Sequence, residues 1–401
     1  MVTKATSRSP ARRRASLAAS AVLALSLLPL QACGGGDGAG GGSTGNPAPA
    51  PTPAPTPSTT AVTSQAVATF QSPWAMVFLP DGRLLVTETA GRLRVVSQSG
   101  AVGPAVAGLP AVASAGQGGL LDVALDPAFA TNALVYLSYA EAGPGGAGLA
   151  VLRGRLQVSA DGAGSLNEVT VLWRQQPKIT NDTRHYGGRL AFAPDGLLFV
   201  TAGERHQGAP AQDLATTLGK IIRIRPDGTI PADNPFVGTG GALPETWTRG
   251  HRNPYGLVFA QDGRLFSSEH GSEGGDEFNL ITRGANYGWR IVSEGNDGEV
   301  LPRHSTRPDF AAPLVSWTPA IAPGGMIQYT GTRFVGWNGD FVLAGLQAQG
   351  LVRVRVTGSI ASEVGRIALG RRIREVEQAP DGTIWVLEDG AGGRLLRLTP
   401  Q

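Results

Sequence analysis

A short sequence pattern recurs along this chain: an apolar segment, a tight turn, and a second apolar segment. Four copies contain Asp-Gly, MVFLPDGRLLVTE, LAFAPDGLLFVTAGE, LVFAQDGRLFSSE and VEQAPDGTIWVLED, and two are looser, VALDPAFATNALVYLSY and GWNGDFVLAGL. Each copy predicts a β-hairpin, because proline sets φ in the turn and glycine tolerates positive φ. Six hairpins over about 340 residues predict an all-β fold, a six-bladed β-propeller.

The composition agrees with this fold. The chain has 57 glycines and 29 prolines, which favour turns and short strands, and no segment keeps a helical period for more than about two turns. We expect strands near Val67 and at 395–398 to share one blade and close the ring. In such a ring the hairpin turns are scaffold, and a ligand binds on polar loops at one mouth of the central channel.

The first residues predict export. Residues 1–14 are basic, residues 15–30 are apolar, and the run ends in Leu-Gln-Ala-Cys33. This order predicts a secretory signal peptide over residues 1–32. Leu-Gln-Ala-Cys resembles a bacterial lipoprotein cleavage box, in which the cysteine becomes the lipidated first residue. A plain cleaved signal and an uncleaved anchor remain as alternatives.

Residues 33–63 are first Gly-rich and then Pro-rich, which predicts a flexible tether before a propeller domain at 64–401. We therefore expect an exported, periplasmic protein that touches the membrane only through a lipid on Cys33. Because Cys33 is the only cysteine, an internal disulfide and a thiolate metal cluster are excluded. Without the five basic residues of the leader, the formal charge of +3 becomes −2, which gives a nucleic-acid partner no electrostatic support.

Four polar segments precede hairpins, and in a propeller they converge on one face. They are GQGGLL at 116–121, RHYGGRL at 184–190, the long stretch 244–290, and RRIRE at 371–375. The stretch 244–290 has the highest density of polar side chains. Buried polar groups without partners cost a few kcal/mol each, so this density predicts a ligand site.

An ordered set of motifs resembles the soluble PQQ-dependent sugar dehydrogenases, the family of glucose, aldose and sorbosone dehydrogenases with six-bladed propellers. The motifs are GQGGLLDVALDPAF, HYGGRLAFAPDG, LGKIIRIRPDGTIPADNPF, RGHRNPYGL, EHGSEGGDEFNLI, ANYGW and RRIREV, within residues 72–399. The resemblance implies pyrroloquinoline quinone (PQQ) and Ca²⁺ as cofactors. It also implies oxidation of an aldose at its anomeric hydroxyl to the lactone, with electrons passed to an external acceptor.

The resemblance assigns residues around the quinone. His185 matches the general base that takes the proton of the anomeric hydroxyl, a task that suits an imidazole near neutral pH. Gln117 matches a residue that hydrogen-bonds the cofactor. Arg252 and Asn253 match a pair beside the quinone oxygens, where a cation stabilises developing negative charge.

Further matches concern the PQQ carboxylates. Arg372 and Arg374 match two arginines that hold them, and Ile373, placed between the two in this cofactor segment, is expected to point into the blade. A lysine of the family that contacts PQQ is replaced here by Gln347. Glutamine still hydrogen-bonds, but it cannot neutralise a carboxylate, so the change leaves weaker PQQ binding or a different cofactor open.

For calcium, the family uses backbone carbonyls of a Gly-Pro step, which here is Gly271-Ser272. Glu277 and Tyr287 match a further calcium site, where the tyrosine is expected to act through its carbonyl. Hard oxygen ligands of this kind suit Ca²⁺.

Two other functions remain open from the sequence. One is a propeller that binds a carbohydrate or a partner without redox chemistry, and the other is a calcium-dependent hydrolase of the lactonase type. Among the other histidines, we expect His251 and His270 to be structural or to support the site, and His206 and His304 to lie on the surface.

Overall fold

The computed structural model describes residues 61–401, together with the backbone of Ser58 and Thr59. The predicted signal peptide, Cys33 and nearly all of the predicted tether lie outside these residues. In chain order the strands are β1 Ser58–Thr59, β2 Val62–Gln71, β3 Pro73–Phe78, β4 Leu84–Glu88, β5 Arg92–Val96, β6 Val102–Ala105, β7 Leu120–Leu125, β8 Leu134–Gly143, β9 Gly146–Val158, β10 Gly164–Arg174, β11 Gly187–Phe192, β12 Leu198–Ala202, β13 Lys220–Ile224, β14 Thr246–Arg249, β15 Pro254–Phe259, β16 Leu265–Glu269, β17 Asp276–Ile281, β18 Val315–Trp317, β19 Pro323–Gln328, β20 Phe341–Gly345, β21 Gly350–Thr357, β22 Ile360–Ala368, β23 Ile373–Gln378, β24 Ile384–Glu388 and β25 Ala391–Pro400. The helical elements of the described residues are α1 Phe129–Asn132 and two 3₁₀ turns, Ala209–Ala211 and His304–Thr306.

Over the described residues the strands form six antiparallel sheets. One edge strand of each sheet contacts the corresponding edge strand of the next sheet, in the cyclic order β3, β7, β11, β15, β19, β23 and back to β3. These six strands therefore surround a central axis. The fold is a six-bladed β-propeller, and the predicted fold class is confirmed.

One blade joins the two ends of the described chain. Strand β2 pairs with β25, the last strand, and the sheet continues through β24 to β23. The predicted closure of the ring is confirmed. Strand β2 begins at Val62, two residues before the predicted start of the propeller domain. Strand β1 adds a fifth, parallel strand to the neighbouring blade by pairing with β22.

The second strand of most blades is buried along its whole length. Strands β4, β12, β16, β20 and β24 show this pattern. Each blade packs against a neighbour on both faces, so these strands are buried on both faces rather than alternating between core and solvent. Between two blades the packing includes the rings of Phe266, Phe278 and Phe341, whose centroids lie 4.6–5.3 Å apart.

The two ends of the innermost strands carry different sequences. At one end, an aspartate in the turn accepts a hydrogen bond from the backbone N–H two residues later, at 2.9–3.1 Å, in the turns of Asp81, Asp195, Asp262 and Asp381. At the other end, a polar segment leads directly into β7, β11, β15 or β23. The turns and the polar segments therefore lie at opposite mouths of the channel. No helix in residues 61–401 is long and apolar enough to cross a membrane.

Candidate active site

Three of the polar segments are joined by hydrogen bonds at the mouth. The side-chain oxygen of Gln117 accepts a bond from the backbone N–H of His185 at 2.7 Å and lies 3.4 Å from the hydroxyl of Tyr255. The side-chain oxygen of Asn253 accepts a bond from the N–H of Gly187 at 3.1 Å. The predicted convergence of these three segments is confirmed.

His185 forms a buried pair with a glutamate. Its side chain is 6% exposed, and its Nδ1 lies 2.6 Å from Oε1 of Glu204. Because a carboxylate accepts, Nδ1 carries the proton, and Nε2 has no hydrogen-bond partner among the described residues. Burial lowers the pKa of His185, and the Glu204 carboxylate acts in the opposite direction. The arrangement leaves a neutral imidazole with a free acceptor nitrogen.

No sequence motif pointed to Glu204, although the hairpin register explains its position. Gly187 on β11 pairs with Ala202 on β12. His185 lies two residues before this pair and Glu204 two residues after it, so the two side chains extend the same ladder at the mouth. Knowledge of that register would have identified the glutamate. The other oxygen of Glu204 accepts a bond from the N–H of Gly208 at 2.6 Å, which fixes the carboxylate.

His251 is buried and His270 is half-buried next to this pair. His251 uses both ring nitrogens, one with Glu269 and one with Thr248, each at 2.9 Å. His270 uses Nε2 with the carbonyl of Pro323 at 2.8 Å, and burial lowers its pKa to about 3. A histidine with both nitrogens occupied cannot accept a substrate proton, which agrees with a structural role for His251.

The predicted surface position of His304 is wrong. Its ring is buried, with Nδ1 2.9 Å from Glu294 and Nε2 3.1 Å from the carbonyl of Tyr287. The loop that carries it folds back onto the mouth, and its polar sequence gave no sign of this. His206 is exposed as predicted, and its ring packs edge-on against His185 with centroids 5.1 Å apart.

Arg252 and Asn253 are buried donors whose bonds are incomplete. The backbone N–H of Arg252 donates to Glu269 at 2.7 Å, and its Nη1 lies 3.4 Å from the carbonyl of His270. Within residues 61–401, no partner is found for Nε of Arg252, Nδ2 of Asn253 or the indole N–H of Trp289, which lies beneath the guanidinium. Buried donors without partners cost about 1–3 kcal/mol each. These donors fit a ligand rich in acceptor oxygens.

Arg372 and Arg374 share one carboxylate. Both pair with Asp389, at 2.9 Å and 2.8 Å, and the guanidinium of Arg374 lies 5.6 Å from the ring centre of Tyr255 at the mouth. Two cations on one carboxylate leave a net positive charge for an anionic ligand. The side chain of Ile373 is fully buried in the core, as its alternation predicts, so only its backbone faces a ligand.

Gln347 lies in the exposed turn between β20 and β21. Its backbone N–H donates to the carbonyl of Ile321 at 2.9 Å, and its side chain makes no hydrogen bond within the described residues. Gln349, two residues later, borders the same groove as Arg372. The turn therefore adjoins the arginine pair, while the Gln347 side chain has no contact that gives it a role.

Gly271, Glu277 and Tyr287 border one small cavity, of about 10 Å³, together with Glu269. Burial raises the pKa of Glu277 well above its usual value, and the nearby Glu269 carboxylate raises it further. Two buried carboxylates beside carbonyl oxygens form a set of oxygen ligands that suits a hard cation. Among residues 61–401, no three His, Cys, Asp or Glu side chains are grouped as a metal cluster, so a cation here requires main-chain oxygens.

The hydroxyl of Tyr287 is not available to such a cation. It donates to the carbonyl of Leu280 at 2.6 Å and accepts from the N–H of Thr282 at 2.9 Å, which leaves the tyrosine carbonyl as its oxygen at the cavity. Ser272 does not border the cavity, and its hydroxyl donates to Asp297 at 2.6 Å. Of the four predicted metal residues, the structure brings three together.

Known proteins match nearly the whole described chain. The profile of the Glucose / Sorbosone dehydrogenase family matches residues 70–397. Aldose sugar dehydrogenase YliI of Escherichia coli K12 is 37% identical over 338 residues, which cover 82% of this chain and 90% of that protein.

Solved structures agree. The apo crystal structure of the soluble aldose sugar dehydrogenase of E. coli superposes with a TM-score of 0.80 at 36% identity, covering 85% of this chain and all of that one. The PQQ-bound aldose sugar dehydrogenase of Streptomyces coelicolor superposes with a TM-score of 0.68 at 28% identity, covering 86% of this chain and all of that one. This chain belongs to the glucose/sorbosone dehydrogenase family.

Proposed function

We propose that this protein is a PQQ- and Ca²⁺-dependent dehydrogenase that oxidises an aldose at its anomeric carbon to the lactone and passes the electrons to an external acceptor. Family membership supports the reaction class, and the PQQ-bound relative from S. coelicolor supports the cofactor. One observation carries the assignment to this site. A histidine with a free ring nitrogen and a buried glutamate partner lies beside unpartnered donors at the mouth of the channel.

His185 is the general base of this proposal. Its Nε2 takes the proton of the anomeric hydroxyl while the hydrogen on the same carbon leaves as hydride. Glu204 keeps the other ring nitrogen protonated and stabilises the imidazolium that forms. The neutral imidazole is ready to accept because burial lowers the pKa of His185.

The remaining residues hold the cofactors. Arg372 and Arg374 bind carboxylates, and Gln117, Arg252 and Asn253 donate or accept hydrogen bonds at the quinone ring and stabilise negative charge there. When bound, PQQ supplies the quinone carbonyl that accepts the hydride, and Ca²⁺ polarises it. Ile373 and Gln347 adjoin this site through a backbone segment and a turn.

Calcium fits the small cavity by its donor chemistry. The Glu277 carboxylate and the carbonyls of Gly271 and Tyr287 supply hard oxygens, and a cation there offsets the repulsion between Glu277 and Glu269. The carbonyl of Ser272 belongs to the predicted set, but its position outside the cavity lining gives it no geometric support.

We also propose export to the periplasm with a lipid on Cys33. The leader and tether sequences carry this proposal. Fractionation of expressing bacteria is expected to place the full-length protein with membranes, and Cys33→Ala is expected to release it. A protein that fractionates in the same way with and without Cys33 would overturn the anchor.

The function is tested by adding PQQ and Ca²⁺ to the apoprotein and following dye reduction with a panel of aldoses. We expect a shift in PQQ absorbance, sugar-dependent dye reduction, and loss of both on chelation of calcium. Sugar binding in the calorimeter without PQQ binding would instead indicate a non-redox binding propeller. Lactone hydrolysis without PQQ, lost with a chelator, would indicate a hydrolase.

A further inference from the structure

Lys220 is a fully buried lysine that has no carboxylate partner within the described residues. Its ammonium donates to three backbone carbonyl oxygens, those of Pro210 at 3.0 Å, Ala211 at 3.0 Å and Leu218 at 2.6 Å. Two of these carbonyls belong to the 3₁₀ turn Ala209–Ala211, which lies in the loop after β12. The lysine thus binds the loop as an internal cation.

The geometry selects the protonated form of the lysine. An ammonium has three N–H donors, which match the three carbonyls, whereas a neutral amine leaves one carbonyl without a donor. Burial, opposed by Asp213 and assisted by Arg249, lowers the pKa of Lys220 to about 7. A buried charge without a counter-ion is a poor source of stability compared with an apolar side chain. We therefore expect the main effect of the Lys220 ammonium to be on the geometry of the loop rather than on overall stability.

That loop holds the carboxylate of the His185 pair. The N–H of Ala211 donates to the carbonyl of Gly208 at 3.0 Å, and the N–H of Gly208 donates to Glu204 at 2.6 Å. Glu204 in turn bonds Nδ1 of His185. A continuous series of contacts therefore runs from the ammonium of Lys220 through the 3₁₀ turn to the imidazole.

The same strand ties both sides of the mouth together. Lys220 is the first residue of β13, where it pairs with Ala202 on β12 and with Arg249 on β14. Glu204 follows two residues after Ala202, and Arg252 follows three residues after Arg249. Lys220 is thus placed beneath the segments that carry the proposed base pair and the proposed quinone contact.

We propose that Lys220 is a positioning residue for the His185–Glu204 pair: its ammonium fixes the turn Ala209–Ala211, the turn holds Gly208, and Gly208 holds Glu204 in contact with the imidazole. The inference rests on the proposed function, since it concerns the same base. It assigns Lys220 no contact with substrate or cofactor.

The test is a double-mutant cycle in the PQQ- and Ca²⁺-loaded protein. Lys220→Met is expected to lower kcat about tenfold with little change in KM, because small displacements of a catalytic group are costly even when they originate outside the site. In the Glu204→Gln background the same substitution is expected to have almost no further effect on kcat, since residues that act through one another are not additive. Lys220→Arg, which keeps the charge and the donors, is expected to recover part of the loss.

Controls separate positioning from stability. Lys178→Met removes a lysine that pairs with Glu141 at 2.7 Å, and it is expected to leave kcat unchanged. Equal, additive losses of kcat from Lys220→Met with and without Glu204 would overturn the proposal. So would a kcat loss that follows only the fraction of unfolded protein in thermal denaturation.

A second measurement needs no turnover. The chain has five histidines, so NMR titration of the apoprotein can follow the His185 imidazole. Lys220→Met is expected to lower the pKa of His185 towards the value that His185 has in the Glu204→Gln variant. The reason is that a carboxylate held less firmly stabilises the imidazolium less. An unchanged pKa of His185 in Lys220→Met would overturn the positioning role, whether or not the wild type oxidises a sugar. A wild type that is inactive with every sugar would instead count against the proposed function.

Discussion

The backbone N–H groups at the two ends of strand β11 find their hydrogen-bond acceptors in different places. At its far end, Asp195 accepts the N–H of Leu197, two residues away, so the turn satisfies itself. At its mouth end, the N–H of His185 finds its acceptor on Gln117, 68 residues earlier, and Gly187 finds its acceptor on Asn253, 66 residues later. The far end is thus built from local contacts and the mouth from contacts between blades.

The difference shows which end is prepared for a ligand. The mouth retains buried donors on Arg252, Asn253 and Trp289 that have no partners among residues 61–401. Unpartnered donors of this kind are a cost to folding that a bound ligand removes. The local turns at the far end show no such cost, because the aspartates in them accept bonds from their own backbone. Substitutions at the two ends should therefore affect different quantities, namely turnover at the mouth and stability at the turns.

The largest effect is expected for His185→Ala. Loss of a general base lowers kcat by about 10²- to 10⁴-fold, while PQQ affinity stays close to that of the wild type because the other cofactor residues remain. Steady-state kinetics with dye and a PQQ absorbance titration measure the two quantities separately. His206→Ala, which removes the neighbouring exposed ring, serves as the matched control. Substantial turnover by His185→Ala would refute the base assignment.

A smaller loss, of about 10²-fold in kcat, is expected for Glu204→Gln. The amide can donate to Nδ1 and thereby favour the tautomer in which Nε2 carries the proton and cannot accept another. The pH profile of kcat should also shift in a defined direction. Activity falls as pH drops through the pKa of His185, which lies below its usual value of 6.5. Removal of the carboxylate lowers this pKa further, so the acidic limb should move to lower pH even though the maximum falls. A limb that moves to higher pH contradicts the pairing.

The contrast also explains what the sequence could predict. The fold was predictable because each Asp-Gly turn specifies its own hairpin within a few residues. His185, Gln117, Arg252 and Asn253 could be proposed as site residues because they lie in motifs just before innermost strands. Glu204 could not, since its role depends on the β11–β12 register rather than on a motif.

Tertiary packing set the other limits. Lys220 lies in a recognisable motif, but its three carbonyl partners exist only after the loop has folded. The expected exposure of His304 failed because its loop folds over the mouth and buries the ring against Tyr287. In each case the missing information was a contact made by backbone atoms, which side-chain patterns do not encode.

Between the two ends, the channel is crossed by a network of buried charges. Nη1 of Arg189 lies 3.3 Å from Asp122 and also bonds Glu375. Glu377, two residues further along β23, borders the same cavity in the channel. Burial, together with the nearby Glu375 carboxylate, raises the pKa of Glu377 to about 8. At the mouth a bound ligand would relieve the cost of the unpartnered donors, whereas in the channel protonation relieves the cost of burying the carboxylates.

Glu377→Gln is therefore expected to change stability rather than turnover. Since the folded-state pKa exceeds the usual value of 4.5, the folded protein binds more protons than the unfolded chain between about pH 4.5 and 8. The stability of the wild type accordingly falls as pH rises through this window. The variant lacks this loss, so it should be more stable than the wild type by about 1–2 kcal/mol at pH 8.5 and nearly equal at pH 4.5. Urea denaturation at the two pH values measures the difference, and a gap independent of pH would contradict it.

The smallest effect is expected at the far end of the strand that begins beside the proposed base. Asp195→Ala removes the acceptor for the N–H of Leu197 in an exposed turn, which should lower the free energy of unfolding by about 0.5–1 kcal/mol. Asp195→Asn keeps an acceptor oxygen and a residue that favours turns, and it removes only a long, exposed ion pair with Arg223, so it should lose little. Both variants should keep the kcat of the wild type, because the contacts of Asp195, with the N–H of Leu197 and with Arg223 at 3.8 Å, lie at this end and the mouth lies at the other end of β11. A kcat loss in Asp195→Ala without a matching loss in Asp195→Asn would show that the two ends are coupled through the strand.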